Sequence, residues 1–461
     1  MEEESSDRMF RTEVCYRISN IVRLEKRGRW NGQLNTSKDK IKKIRNSILT
    51  VLFFCFLGYY FVQNNFYSPT VFFAAYRESF SAKQSFFKND KNVKQAILKE
   101  EERYNEEFFD RQKFLNQYGA IQKKLHRHVV DDADRARTVF VGQEDMLYYV
   151  IDSPVEVDSF VDSFEQLNEF LESKNIPFVY VQCPYKHLKN STTFPLGVAD
   201  YGNQTADEFV NRLREKQISV LDLNTLAVNE NGDTVLREQE DFFKTDTHWR
   251  IPTVFWGYQQ IVRFLEQKDV PLENVSLSTN REQYREKKWE KAYLGSHAKR
   301  VGTAFYDKKD DVSVLLPKFD TSLSYTKWNR EGKQIKRREG TFEESFMFYG
   351  YMTEEDIFQD KYIVFMDWGA SEDWIQNCNV KNGTKVLIIK DSFAMPIAGF
   401  LSLNVSELRM LDIRKENRPQ SIKKYVEEYQ PDVVLFVASP TSMYYSPEMF
   451  EMKETIKDLK Q

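Results

Sequence analysis

Hydrophobic and polar positions follow different periods in successive stretches of the chain, and each period predicts a different element. Residues 47–62 read SILTVLFFCFLGYYFV, without a charge, which as a helix would span about 24 Å, slightly less than a bilayer core. A basic run, Lys38 to Arg45, precedes it, with Arg23, Lys26, Arg27 and Arg29 further upstream. This one-sided flank predicts a transmembrane helix over 47–63, with the basic segment 1–46 in the cytoplasm and everything after the span outside. A cleaved signal peptide fits less well, because the stretch before the apolar run is too long and no small-residue cleavage site follows.

Residues 64–137 mix charge with aromatics. Between Asn92 and His128, Phe108, Phe109, Phe114, Leu115 and Ile121 fall at loosely helical spacing, so this part reads as a helical stalk outside the membrane. From Thr138 the period changes again. Short β-branched runs at 138–141, 178–182, 219–223, 312–316, 385–390, 408–413 and 433–438 alternate with amphipathic stretches at 158–174, 206–216, 252–267 and 420–429. That alternation predicts an α/β domain over 138–461 with a mostly parallel sheet. Residues 269–344 break the rhythm with dense Lys, Arg and Asp, and are expected to be an insertion over one end of the sheet.

Composition narrows the chemistry. An apolar fraction of 41% supports a sizeable core, and a net charge of −4 with interspersed signs gives no field to recruit nucleic acid. Cys15, Cys55, Cys183 and Cys378 lack the paired spacings of a zinc or iron-sulfur site, so neither metal nor cofactor is expected. On the outer side only Cys183 and Cys378 would be available for a disulfide. Trp249, Trp289, Trp328, Trp368 and Trp374 are either core residues or stacking surfaces for sugars.

Two segments carry candidate chemistry. Val386 to Pro396 (VLIIKDSFAMP) reads as a buried strand ending at Lys390-Asp391-Ser392, then a helix starting near Phe393. That turn places a serine hydroxyl beside helix N-terminal N–H groups suited to an oxyanion, although serine is equally common there as a simple N-cap. A serine nucleophile needs a base. Of the five histidines, His248 lies in a loop, FFKTDTHW, where Asp246 two residues earlier is placed to orient the imidazole. An ordinary loop histidine beside an acid has the same pattern. Trp249 would wall such a site against water.

Set side by side, Thr245-Asp-Thr-His-Trp249, Lys390-Asp-Ser-Phe393 and Leu411-Asp-Ile-Arg414 resemble the DHHW proteins and the alginate O-acetylation proteins of the AlgX/AlgJ type. Val139-Phe-Val-Gly142, Pro184-Tyr-Lys186, Leu294-Gly295 and Lys299-Arg-Val-Gly302 add to the likeness, which covers roughly 138–439. The chain departs from the DHHW name in having Thr247 at the second letter; the histidine before Trp249 is kept. The resemblance implies an SGNH-hydrolase-like three-layer αβα sandwich with Ser392 as nucleophile, His248 as base and Asp246 as orienter. It also implies an oxyanion and substrate role for the Phe393 N–H and Arg414, with Lys186 in a recurrent position. The implied activity is bacterial: O-acetylation of a cell-surface or secreted polysaccharide at the plasma membrane, fed by a membrane-bound O-acyltransferase, since acetyl-CoA is not available outside the cytoplasm. A carbohydrate acetylesterase uses the same triad, and a non-catalytic glycan or wall-assembly binding protein can share the fold.

Overall fold

The computed structural model describes residues 37–63, 108–132, 137–189, 191–192, 194, 196–228, 235–329, 331–353, 356–414 and 421–452. The chain divides into two compact units, Met1–Arg111 and Gln112–Gln461. In the first, α1 (Ser37–Val62) continues the apolar run back through the basic flank. Its Lys42–Val62 stretch, of mean hydropathy 1.4 and with none of it buried, is long and apolar enough to cross a membrane, alone in this among the described residues. The expected basic segment through residue 36 and the stalk residues 64–107 lie outside the described residues.

The second unit begins earlier than the predicted boundary at 138. Helix α2 (Arg111–Lys124) is part of it: Gly119 is buried against the backbone of Val301 and the side chain of Phe305, and Asn116 Oδ1 accepts from the Thr303 N–H at 2.8 Å. Strands β1 (Val129–Val130), β2 (Val139–Val141) and β3 (Leu147–Tyr149) form a small antiparallel sheet, so the predicted 138–141 strand stands outside the main sheet.

The main sheet and the helices that cover it begin with α3 (Asp158–Ser173), β4 (Phe178–Gln182), α4 (Gly202–Glu215), β5 (Ser219–Asp222) and α5 (Ile251–Glu266). After α5 come β6 (Tyr284–Tyr293), α6 (Ser296–Val301), β7 (Asp310–Pro317), β8 (Leu323–Trp328), β9 (Gln334–Gly340) and β10 (Glu372–Asn377). The last elements are β11 (Lys385–Lys390), α7 (Ala394–Leu401), β12 (Glu407–Leu411), α8 (Ile422–Tyr429) and β13 (Val433–Ala438). The order is β5-β4-β13-β11-β12-β10-β8-β9. The first five strands run parallel and the last three are added antiparallel. The stretch 269–344 is therefore not only an insertion over the sheet. It supplies β8 and β9 to the sheet itself, while β6 and β7 pair separately. The charge density that disguised these strands lies on β6 and on the edge strand β9, both largely exposed; charge on an edge guards against intermolecular pairing.

Successive residues of a strand face opposite sides of the sheet, and both sides are covered. Val386 and Ile388 of β11 and Val433 and Leu435 of β13 join α5 and α7 in one core. Leu387 and Ile389 with Val434 and Phe436 join α3, α4 and α8 in the other. This is a three-layer αβα sandwich, and its carboxyl edge is where β11 and β12 end, at Lys390 and Leu411. Cys183 is buried, Cys378 is exposed, and both are free thiols, so the two do not form the disulfide considered above.

Candidate active site

Ser392 lies in the short turn between β11 and α7, one residue before the Phe393 N-cap, and α7 is buried along its whole length and so fixes the turn. Asp391 locks that turn: its Oδ1 accepts from the Phe393 N–H (2.9 Å), and its Oδ2 from the Ser439 N–H and Ser442 Oγ–H (2.7 Å each) past the end of β13. The Phe393 N–H is thus engaged by Asp391 and is not free to hold an oxyanion. The expected oxyanion role of Phe393 is therefore not available to it; what it brings to the site is its ring, packed 5.1 Å from the His248 ring and 5.8 Å from Trp249. The Ser392 N–H is the donor left at the turn.

The loop 242–249 closes on itself, with Phe242 and Trp249 bridged and the Phe243 N–H donating to the His248 carbonyl. Buried Asp310 accepts from the Lys244 and Thr245 N–H groups at 2.8 Å each and from Arg250 Nη2 at 2.8 Å. Lys186 sits beneath the loop. Its Nζ donates to the carbonyls of Leu147 (2.6 Å), Asp246 (2.7 Å) and Lys244 (3.3 Å), while burial lowers its ammonium to about 7. Lys186 is therefore a brace for the loop, not a substrate ligand: its buried ammonium is fully used by backbone carbonyls.

The two segments meet. Ser392 Oγ–H donates to His248 Nε2 at 2.8 Å, and His248 Nδ1–H donates to Asp246 Oδ1 at 2.6 Å, about 144 residues apart in sequence between serine and histidine. The His248 N–H also donates to Asp246 Oδ1 (3.1 Å), a local turn that sets the two side chains on one side. Asp246 Oδ2 accepts from the Ser296 N–H (2.8 Å) and the Tyr293 phenol (3.0 Å). Burial pushes the Asp246 carboxyl up, but His248 and these donors outweigh it and hold it well below the usual carboxylate range. For His248 burial pulls downward, and the Asp246 carboxylate more than offsets it, leaving the imidazole above its ordinary value.

Sequence reasoning missed three members of this site. Tyr293 contacts both Asp246 and Asp360 (2.9 Å to Oδ1); Tyr362 stacks on His248 at 4.0 Å and 15°; Asp360 lines the same cavity, with its carboxyl raised by burial and by Asp246. Leu294-Gly295 in the resemblance pointed next door to Tyr293. Asp360 and Tyr362 lie in irregular chain that gives no periodic signal. The cavity, about 310 Å³, is lined by His248, Ser392, Tyr362, Lys390 and Arg414 among others. Arg414 is at its edge, held by Asp412 through Nε (2.9 Å) and Nη2 (2.8 Å). Trp249 does not wall the cavity; it is fully buried behind Phe393, and Tyr362 takes the place expected of it.

A family model described as SGNH hydrolase-like domain, acetyltransferase AlgX, matches residues 139–309, a stretch that includes Asp246 and His248 and ends before Ser392. Among solved structures, PatB1 of Bacillus cereus with a sulfonyl adduct is 19% identical, with a TM-score of 0.55 over 70% of this chain and 98% of that chain. A second PatB1 structure gives 20% identity and the same TM-score over 68% and 98%. A DHHW family protein from Eubacterium siraeum is 17% identical, with a TM-score of 0.49 over 72% and 100%. No curated protein matches the chain significantly. The family match and the likeness to PatB1 agree with an SGNH-hydrolase-like α/β fold for this chain.

Proposed function

We propose that this protein is a membrane-anchored O-acetyltransferase that acetylates a cell-surface or secreted polysaccharide through an acetyl-Ser392 intermediate. The observation that carries this reading is the hydrogen-bonded row Ser392 Oγ, His248 Nε2 (2.8 Å), His248 Nδ1, Asp246 Oδ1 (2.6 Å) at the carboxyl edge of the sheet. With its Nδ1 proton committed to Asp246, the imidazole presents the Nε2 lone pair to the serine hydroxyl, the tautomer a general base needs. His248 takes the Ser392 proton as the oxygen attacks the acyl carbonyl of the donor and returns it to the leaving group. The Ser392 N–H at the start of α7 stabilises the oxyanion.

The family model's description as an acetyltransferase supports transfer as the reaction class. Helix α1 is long and apolar enough to serve as a single-pass anchor, and the basic flank before it supports the orientation we propose, with the domain outside the cytoplasm at the plasma membrane. A membrane-bound O-acyltransferase exporting the acetyl group is the partner this arrangement needs. Substitution Ser392→Ala is expected to abolish labelling by a sulfonyl probe, the class of adduct found on PatB1, and to lower acetyl transfer by about 10³-fold or more. Normal polysaccharide acetylation by Ser392→Ala in cells lacking a paralogue would overturn the reading.

A further inference from the structure

Of the five tryptophans that the sequence offers as core or sugar-stacking residues, one is buried and three are half-buried against neighbouring side chains. Trp249 is buried. Trp289 lies beside Tyr349, with the Lys287 ammonium 5.2 Å from its ring centre, and Trp328 packs 6.5 Å from Trp374, which the Arg409 guanidinium covers at 4.2 Å. Trp368 differs: it is 57% exposed and stands in the wall of the cavity that holds His248 and Ser392.

The backbone that presents it is firmly held. Met366 and Asp367 both adopt left-handed conformations (φ 69° and 62°), unusual for non-glycine residues and costing about 1 kcal/mol or more each. Such strain persists only where surroundings overdetermine it. Here the Met366 N–H donates to the Phe346 carbonyl (2.8 Å) and the Asp367 N–H to that of Ile363 (3.0 Å). The Tyr325 phenol donates to the Met366 carbonyl (3.0 Å), Lys336 Nζ to Asp367 Oδ2 (2.6 Å), and the buried Lys327 ammonium to the Trp368 carbonyl. Gly369 then lets the chain pass against Lys390, whose ammonium any Cβ would meet.

The fold therefore holds a strained segment in place so that an indole faces solvent beside the serine. A two-carbon acyl group needs neither that face nor a cavity of about 310 Å³, a size at the lower end for ligand sites. A pyranose fits both. Its C–H face packs on an aromatic ring while its hydroxyls seek polar partners, and the cavity offers Trp368, Phe365 and Met395 on one hand and Asp360, Asp367 and Arg414 on the other.

We propose that Trp368 is the platform on which a sugar ring of the acyl acceptor stacks. The proposal rests on the acetyl-Ser392 reading. In the transfer step an acceptor hydroxyl oxygen bonds to the acyl carbon, the bond from that carbon to Ser392 Oγ breaks, and the hydroxyl proton passes through His248 Nε2 to Ser392 Oγ.

Binding is the decisive readout, measured on the full-length protein in detergent carrying Ser392→Ala, so that nothing turns over. Calorimetric titration with short oligomers of N-acetylglucosamine, mannose and xylose should find at least one ligand. Adding Trp368→Ala should weaken it about tenfold or more, with Trp368→Phe recovering part of the loss and Trp368→Leu none of it, as stacking requires. Equal affinity with and without Trp368, equal recovery by Leu and Phe, or no binding of any oligomer overturns the proposal. Sulfonyl labelling of Ser392 in the wild-type chain separately reads the catalytic assignment, so failure of one is distinguishable from failure of the other.

Discussion

At the residue scale the site turns on how one carboxylate is shared. Asp246 receives His248, Ser296 and Tyr293, and the same phenol reaches Asp360, so two acids face one hydroxyl that has a single proton to give. The two carboxyls nevertheless move in opposite directions: against the pull of burial, His248 and the Ser296 N–H hold Asp246 down, whereas burial first and then the Asp246 charge raise Asp360 in spite of the Tyr293 hydrogen bond. In the role proposed for it, as general base, His248 must be neutral to act. Because the pair lifts His248 above its ordinary 6.5, kcat/KM for an acetyl ester should fall as pH drops through a midpoint above that value. Asp246→Asn, which removes the lifting charge, should move the midpoint down and cut the rate by about 10⁴-fold; a pH–rate profile of both proteins checks this, and an unmoved midpoint would exclude the pairing. Stability has the opposite sign: the imidazolium and carboxylate stabilise the fold below the ordinary histidine value, and that contribution is lost as pH rises through the raised one.

At the element scale the loop 242–249 has no regular structure of its own and depends on neighbours for its shape. Lys186 braces it from below, Asp310 gathers its amides, and Gly295 at the start of α6 approaches so closely that a Cβ there would stand 2.6 Å from Asp246 Oδ2 and 2.7 Å from the Thr245 carbonyl. Gly295→Ala should therefore displace the carboxylate. The expected result is a loss of about 1–3 kcal/mol in unfolding free energy and of about 10²-fold in kcat/KM, read by thermal melting and ester kinetics. Unchanged kinetics would mean that the loop yields without moving Asp246. The Ser392 turn is built differently, on a buried strand and a buried helix. That is why its position was legible from the continuous apolar run of VLII and the second apolar run that follows the turn. Its donor pattern was not, because Asp391 uses the Phe393 N–H through a side-chain contact that no period encodes.

At the scale of the whole molecule the two compact units suggest separable tasks. A chain starting at Gln112 contains the sheet, both cores and the whole candidate site, whereas the one described stretch fit to cross a membrane is in the other unit. The shortened chain should appear in the soluble fraction and still react with a sulfonyl probe at Ser392, while the full chain should sediment with membranes and resist alkaline carbonate extraction. A full chain released by carbonate would rule out the anchor.

What the sequence determined by itself was whatever depends on local periodicity: an apolar run with a basic flank, parallel strands with amphipathic crossovers, and two short polar motifs at places where strands or loops end. Those follow from burial, which acts on each element through its own side chains. Only the tertiary structure decided what depends on partners distant in the chain. It drew β8 and β9 out of a charged stretch into the sheet, since an edge strand can stay polar while its backbone pairs. It sent Lys186 and Trp249 behind the site and brought Tyr293, Asp360 and Tyr362 into it. And it left Trp368, alone of the five tryptophans weighed, open to solvent beside the serine, because exposure is a property of the packed surface and not of the residue.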